Sequence, residues 1–363
     1  MARFVTFGEI MARMEPQGFG RIRQALPGLL KVSFAGSEAN VAASLAYLGE
    51  EAAFVTALPD NDLGEACIGA LRNIGVDTTK IFKVPRGRLG IFYVETGANQ
   101  RPSRVIYDRE LSALSLAEPE AYDWPSAFVG AAWFHISGIT PAVSRHAADT
   151  ALEAVRCARD AGLTVSCDLN FRKKLWRWEV GTDPKSLARR VMAEILPYVD
   201  LVIGNEEDAE DVLGIRAGGS DATAGKLEIE RYPEVAARII GRYPNVSRVA
   251  VTLRESLSAT HNNWSGMLYE AGSRRAFFAP LRDGAYAPYC IHSIVDRVGG
   301  GDAFAAALIY ALNDPELREP AGAVSFAAAA SCLCHSIEGD FNFSSREEIL
   351  ALMGGEASGR VKR

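Results

Sequence analysis

The chain has 363 residues, 48% of them hydrophobic, with 39 Lys and Arg against 45 Asp and Glu for a net charge of −6. This composition supports a sizeable packed core and excludes a disordered chain. It also excludes the basic face that nucleic-acid binding requires.

Short β-rich runs alternate with helical patterns along the chain. Phe4–Gly8 reads as a strand, Asn40–Leu48 as a helix closed by Gly49, Ala53–Thr56 as a strand and Leu63–Gly75 as a helix. Trp133–Ser137 reads as a strand, Ser144–Ala161 as a helix ended by Gly162, and Thr164–Asp168, Leu201–Gly204 and Val249–Thr252 as further strands. Nearly all-apolar strands alternating with helices predict a mostly parallel, doubly wound α/β sheet with helices on both faces. Two stretches, about residues 12–34 and 88–111, carry strand patterns without intervening helices and predict a small β lid over one edge of the sheet. Gly214–Tyr232 reads as an inserted surface excursion, and Arg360-Val361-Lys362-Arg363 as a solvated tail. The rest, residues 1–355, reads as one domain with the lid inside it. No secretory leader is visible and Ala303–Leu312 is too short to span a bilayer, which predicts a cytoplasmic protein with no membrane partner.

The most informative stretch is Asp296-Arg297-Val298-Gly299-Gly300-Gly301-Asp302, which runs directly into an apolar helix. Its glycines let backbone N–H groups converge at a helix N-terminus, a ready anion site. Asp302 is the wrong charge for holding an anion; it is either a helix cap or a general base beside a phosphoryl group in transit. Open parallel sheets bind ligands beyond the carboxyl ends of their strands. Ala35-Gly36-Ser37-Glu38-Ala39-Asn40, Asp168–Arg172, Asn205–Asp208 and Thr252–Glu255 all fall there. Each alone reads as a turn or cap; together with the glycine loop they favour the base. A Gly-x-Gly-x-x-Gly dinucleotide fingerprint is missing after the first strand, where Gly8 is followed by Glu-Ile-Met-Ala-Arg. The six cysteines (67, 157, 167, 290, 332, 334) show no framework spacing, and Cys332-x-Cys334-His335 lacks a second ligand pair. Spacing among the five histidines suggests neither a metal site nor a triad.

The run from Gly36 and Asn40 through Leu48-Gly49, with the Asp296–Asp302 loop, resembles the two signatures of the ribokinase-like (PfkB) carbohydrate kinases. Within that family the chain is most similar to the 2-keto-3-deoxygluconate kinases, through Asp168-Leu169-Asn170-Phe171-Arg172, the Tyr107 and Arg109 pair, Val251–Ser256 and Ile337–Asn342. The resemblance implies a ribokinase-like fold and an ATP- and Mg2+-dependent kinase acting on a sugar acid, assembled as a homo-oligomer through its lid. It implies Asp302 as base, and amides of Gly299, Gly300 and Gly301 around the transferring phosphoryl group. Gly36, Asn40, Tyr93, Tyr107, Arg109, Arg172 and Asp340 would bind substrate, with Arg172 a buried cation paired to its carboxylate. Asn170, Asn205, Thr252 and Arg254 would serve the nucleotide, and Asp208 the metal through water. A side chain at Gly300 would intrude where backbone meets phosphate. The chain departs from the family pattern at Arg297, Gly300, Asp208, Arg254 and Phe92, the last at a site resembling a tyrosine, with Tyr93 beside it. Ribose, fructose or another sugar acid, and a catalytically silent sugar sensor, are the competing readings.

Overall fold

The computed structural model describes residues 3–215 and 229–356. The tail at 360–363 and most of the excursion expected at 214–232 lie outside the described residues.

The central sheet has ten strands. Its first half comprises β1 (Arg3–Phe7), and, after β2 (Met11–Glu15) and β3 (Lys31–Ala35), β4 (Glu51–Pro59) and β5 (Ile81–Val84). Two more strands, β6 (Gly90–Glu95) and β7 (Arg104–Asp108), precede its second half: β8 (Ala131–Ser137), β9 (Thr164–Asp168), β10 (Leu201–Gly204) and β11 (Arg248–Ser258). The spatial order β11-β10-β9-β8-β1-β4-β5 is parallel throughout, and the order reverses at β1, where the chain winds first toward β5 and then toward β11. The sequence's expectation of a mostly parallel doubly wound sheet holds. Beyond β11 the sheet turns antiparallel, with β12 (His261–Glu270) and β13 (Arg275–Ala279). A two-stranded hairpin follows, β14 (Leu281–Arg282) and β15 (Ala285–Tyr286), and then β16 (Tyr289–Ile291) pairs back onto β12.

Helices cover both faces. Arg145–Asp160, Pro184–Ile195 and Tyr232–Arg242 pack one core, and Ser37–Tyr47, Asp62–Ile74, Gly300–Asn313 and Pro320–Cys334 pack the other. Their ends follow local chemistry. The Ser144 hydroxyl accepts the Ala147 amide at 3.1 Å, and Asn61 accepts the amides of Leu63 and Gly64, satisfying donors that a helix leaves open. Gly75 closes its helix at φ +98°, where a side chain would be strained. Among the described residues no helix is long and apolar enough to cross a membrane.

β2, β3, β6 and β7 form a separate four-stranded sheet in the order β3-β2-β6-β7; contrary to the expectation of no intervening helix, a single helical turn, Ile22–Ala25, lies between β2 and β3. This small sheet stands over the carboxyl ends of the large sheet because β2 leaves β1 after only Gly8, Glu9 and Ile10.

Candidate active site

A cavity of about 350 Å³ opens between the carboxyl ends of β9, β10 and β11, the glycine loop and the inner face of the small sheet. Its lining includes Gly36, Asn40, Asp168, Asn170, Arg172, Asn205, Asp208, Thr252, Arg254, Gly299, Gly301, Asp302 and Asp340. Residues scattered over three hundred positions are thus brought to one place by the sheet's winding.

Asp302 sits in the first turn of the helix Gly300–Asn313, 8% exposed. It does not cap that helix with its side chain. The Ser37 hydroxyl donates to one carboxylate oxygen at 2.7 Å and the Asn40 amide to the other at 2.6 Å. Both donors belong to the first turn of the helix Ser37–Tyr47, so two helix starts meet at this carboxylate. Burial raises its pKa, while the bonds from Ser37 and Asn40 and the charge of Arg172 hold it down. The outcome is a carboxylate oriented by two neutral donors and more basic than one in water.

Asn170 is also tied to this centre, since its amide donates to the Ser37 hydroxyl at 3.2 Å. Its backbone lies at φ +36°, a conformation Asn tolerates better than most residues. It lies beside Asp302 and lines the same cavity as Asn205, Thr252 and Arg254, the residues with which the resemblance grouped it. Asp168, at the end of β9, is buried nearby, with its pKa raised by burial and by the charges of Asp208 and Asp302. Asp208 is occupied: its two oxygens accept the Phe171 amide at 2.9 Å and the Asn205 amide at 3.1 Å. Asn205 in turn accepts the amides of Glu207 and Asp208, completing a capping box. Both residues line the cavity as helix-capping groups.

The glycines divide the labour of the loop. Gly299 adopts φ +85°, and a Cβ there would lie 2.4 Å from the Asp340 carbonyl oxygen. A Cβ on Gly300 would meet the His335 ring at 3.0 Å, whereas one on Gly301 would meet nothing within 4 Å. Gly300 therefore faces the interior, held also by the Ser331 hydroxyl on its carbonyl at 2.5 Å. A side chain there would strike His335, and the position open to the cleft is Gly301. The helix's first amides, for which the helix itself provides no acceptors, lie at this open side. Arg254 and Arg297 flank it, the latter held by the Asn262 side chain at 2.9 Å. Burial and the neighbouring Arg254 lower the pKa of Arg297, and the wall is suited to phosphates.

On the small sheet, Phe92 and Tyr107 are directly paired and both line the cavity. Tyr93 points to the opposite face and does not. Arg109 is buried, ion-paired with Glu9, its guanidinium 5.9 Å from the centre of the Tyr107 ring. Arg172 contradicts its expected burial: it is exposed at the rim, with its guanidinium donating to the neighbouring Phe171 carbonyl at 3.0 Å. Gly36 lets two backbones touch, since a Cβ there would lie 1.9 Å from the Glu9 carbonyl oxygen.

Sequence reasoning missed the residues that hold these parts. Arg13 on β2 is completely buried, bonding Glu15, Asp296 and Asp340, each at 2.5 Å. Asp296 also accepts the Val298 and Gly339 amides at 3.1 and 3.2 Å, and so fixes the glycine loop from below. Asp340 keeps a pKa raised to about 7 by burial, with Arg13 opposing the rise. Ser37 and Glu9 had no distinguishing local signal either, because their partners lie 265 and 100 positions away.

Comparison with known proteins agrees with this geometry. The model of the pfkB family carbohydrate kinases matches residues 1–238. The chain is 32% identical to a 2-dehydro-3-deoxygalactonokinase of Haloferax volcanii, covering 98% of both chains. It is 24% identical to a 2-dehydro-3-deoxygluconokinase of Bacillus subtilis, over 85% of this chain and 83% of that one. The crystal structure of a Thermotoga maritima 2-dehydro-3-deoxygluconokinase superposes with a TM-score of 0.86 at 45% identity, covering 98% of this chain and all of that one.

Proposed function

Because the chain belongs to the pfkB family of carbohydrate kinases, we propose that it transfers the γ-phosphoryl group of ATP to a hydroxyl of 2-keto-3-deoxygluconate. The observation that carries the chemistry is the buried Asp302 carboxylate, hung between Ser37 and Asn40 at the start of a helix whose glycines leave its amides open. Asp302 takes the proton of the acceptor hydroxyl. The loop amides at Gly299 and Gly301, with Arg254 and Arg297, receive the charge that gathers on the transferring group. The choice of sugar acid rests on the named activities of the relatives and on two arginines that line the cavity, Arg109 and Arg172. Of these, Arg109 is already neutralised by Glu9, so Arg172 is the cation free to turn inward onto a carboxylate, with the fork geometry that such a group accepts.

Magnesium, when bound, would offset the charge of the nucleotide phosphates. The donor set fits that ion held through water: Asp208 already spends both oxygens on backbone amides, and Glu207 is exposed beside it. Residues 1–355 act as one kinase domain in this reading, and the small sheet serves as a lid whose Met11, Phe92 and Tyr107 exclude water from the transfer. An apolar row on its outer face, Val32, Met14, Tyr93 and Ile106, is proposed as the contact of a homo-oligomer. A cytoplasmic location suits ATP as donor.

The Haloferax volcanii relative favours the galactonate epimer as a second reading. Release of ADP is measured with both epimers, ribose and fructose. Preference for 2-keto-3-deoxygluconate is expected, preference for its epimer moves the assignment to the second reading, and preference for a neutral sugar rejects both. Asp302→Asn keeps size and removes the proton acceptor; turnover should fall by about 10²–10⁴-fold in a folded protein. Near-normal turnover would remove Asp302 from its role. The raised pKa adds a pH signature: wild-type turnover is lost as pH falls into the range above an ordinary carboxylate, because the base is then protonated.

A further inference from the structure

We propose that His261, Cys290 and His292 form a surface site for a soft or borderline divalent ion of the Zn2+ class, separate from the magnesium of the nucleotide. The three residues are remote in sequence and meet through strand register. β12 and β16 are antiparallel, with Asn262 opposite Ile291 and Asn263 opposite Cys290. Continuing that register sets His261 opposite His292. Because side chains alternate along a strand, positions 290 and 292 project from the same face as 261.

The side-chain geometry agrees with that placement. The His261 and His292 ring centres are 4.4 Å apart. His261 Nε2 lies 3.4 Å from Cys290 Sγ. One ligand atom from each residue falls within 4.8 Å of the others, and all three side chains are partly or fully exposed. Zinc takes nitrogen at about 2.0–2.1 Å and thiolate sulfur at about 2.3 Å in a tetrahedron, whose edges are then about 3.3–3.6 Å. The His261–Cys290 edge is already at that length, and small side-chain rotations close the rest. Three protein ligands leave the fourth position for water.

The ligand chemistry separates this site from the catalytic one. Two imidazoles and a thiolate favour Zn2+, Co2+ or copper over Mg2+, which prefers the oxygen donors and phosphates of the cleft. Binding replaces the thiol proton: the S–H bond breaks, a sulfur–metal bond forms, and one proton passes to solvent.

The site also has a mechanical position. Asn262, the next residue after His261, holds Arg297 of the glycine loop. The Ile294 amide donates to the Thr260 carbonyl at 3.1 Å. Trp264, two rungs along the same ladder, lines the catalytic cavity and pairs with Tyr289. An ion here staples β16 to the start of β12 at the root of the segment that enters the loop.

The test uses full-length protein stripped with a chelator, titrated with Zn2+ against a chromophoric competitor, and separately with Co2+. Wild type should bind one equivalent of Zn2+, and its Co2+ complex should show a thiolate charge-transfer band. Cys290→Ser should abolish the band, and Cys290→Ser and His292→Ala should each weaken Zn2+ binding by at least about tenfold. Both substitutions are on the surface, so MgATP-dependent turnover should persist and report a folded protein. Amide exchange over residues 289–297 should slow with Zn2+ in wild type and not in Cys290→Ser. Equal Zn2+ affinity in wild type and Cys290→Ser, a Co2+ spectrum without the band, or loss in only one of the two variants would overturn the three-ligand site.

Discussion

Across the large sheet, β1, β8 and β9 turn Phe7, Phe134 and Val165 into one helical layer, while Phe4 and Ile203 face the other, none above 1% exposed. The inner face of the small sheet gives the same depth to charges: Arg13 is 0% exposed and Glu15 4%. Each fully buried apolar side chain contributes about 1.5–3 kcal/mol relative to exposure. A buried charge gains nothing by burial and is stable only while its partners stay in place. The large sheet is therefore held by contacts that tolerate small shifts. The small sheet is registered over the cleft by a few bonds that do not, and two of these, from Arg13 to Asp296 and Asp340, run straight to the glycine loop and the cavity wall.

The sharpest way to break that contrast is Arg13→Met, which keeps the volume and strands three buried carboxylates. Removing one partner of a buried ion pair typically costs about 3–5 kcal/mol, and urea unfolding at neutral pH should show a loss of that order. The sign with pH is specific. Asp340 already has a folded pKa of about 7, raised by burial and restrained by Arg13. Without the arginine it rises further, so the variant should regain stability as pH falls and lose it as pH rises through the folded value. A loss below about 1 kcal/mol, or one that does not vary with pH, would mean that the small sheet is held as the large one is.

A smaller effect tests the large sheet's own exception. Glu38, in the helix Ser37–Tyr47 packed on that sheet, is 1% exposed, and one of its oxygens accepts the Ser137 amide and the Ser137 and Thr140 hydroxyls at 2.7–2.9 Å. Burial raises its pKa to about 7, with Thr140 and Ser137 opposing the rise. A raised folded pKa means that its contribution is complete below the unfolded value and is lost as pH climbs through about 7. Glu38→Gln can keep accepting those bonds and has no charge to bury. It should flatten the stability–pH curve between about pH 5 and 8, a difference on the order of 1–3 kcal/mol at the alkaline end. Parallel curves for variant and wild type would exclude Glu38 as the titrating group.

The same contrast explains what the sequence disclosed. Thr164–Asp168 and Leu201–Gly204 were legible to the residue because buried parallel strands are written as local apolar runs. The strand at Val249–Thr252 was legible only in part: it continues to Ser258 because β12, whose polar start His261-Asn262-Asn263 has no strand pattern, pairs along its whole length. In the cleft, the glycine loop and Asp302 stood out as a contiguous motif. Arg13 did not, because its meaning lies in Asp296 and Asp340, 283 and 327 positions away. Arg172 misled in the other direction: a strand-end position indicated the cleft, but not that the side chain would rest exposed on its neighbour's carbonyl. The His261, Cys290 and His292 cluster was invisible for a further reason, since only the register of β12 on β16 makes neighbours of them.

The smallest expected effect on folding concerns the outer face of the small sheet, where the comparison with the large sheet reverses. Helices cover both faces of the large sheet, whereas here Val32 and Ile106 remain 54% and 55% exposed. Register makes them the ends of a continuous row: Val32 pairs with Met14, Met14 with Tyr93, and Tyr93 with Ile106. Cross-strand neighbours of this kind form a contiguous apolar surface, and such a surface gains from being covered. Placing a charge at its edge with Ile106→Lys changes little within one chain, because exposed substitutions away from special features usually stay within about 0.5 kcal/mol. Across a contact between two copies, the same ammonium would be desolvated without a partner. Sedimentation velocity should therefore show a lighter species for Ile106→Lys than for wild type, with an unchanged unfolding midpoint once both are compared as monomers. If the two sediment alike, the row is not the contact, and the small sheet's outer face is simply solvent-facing.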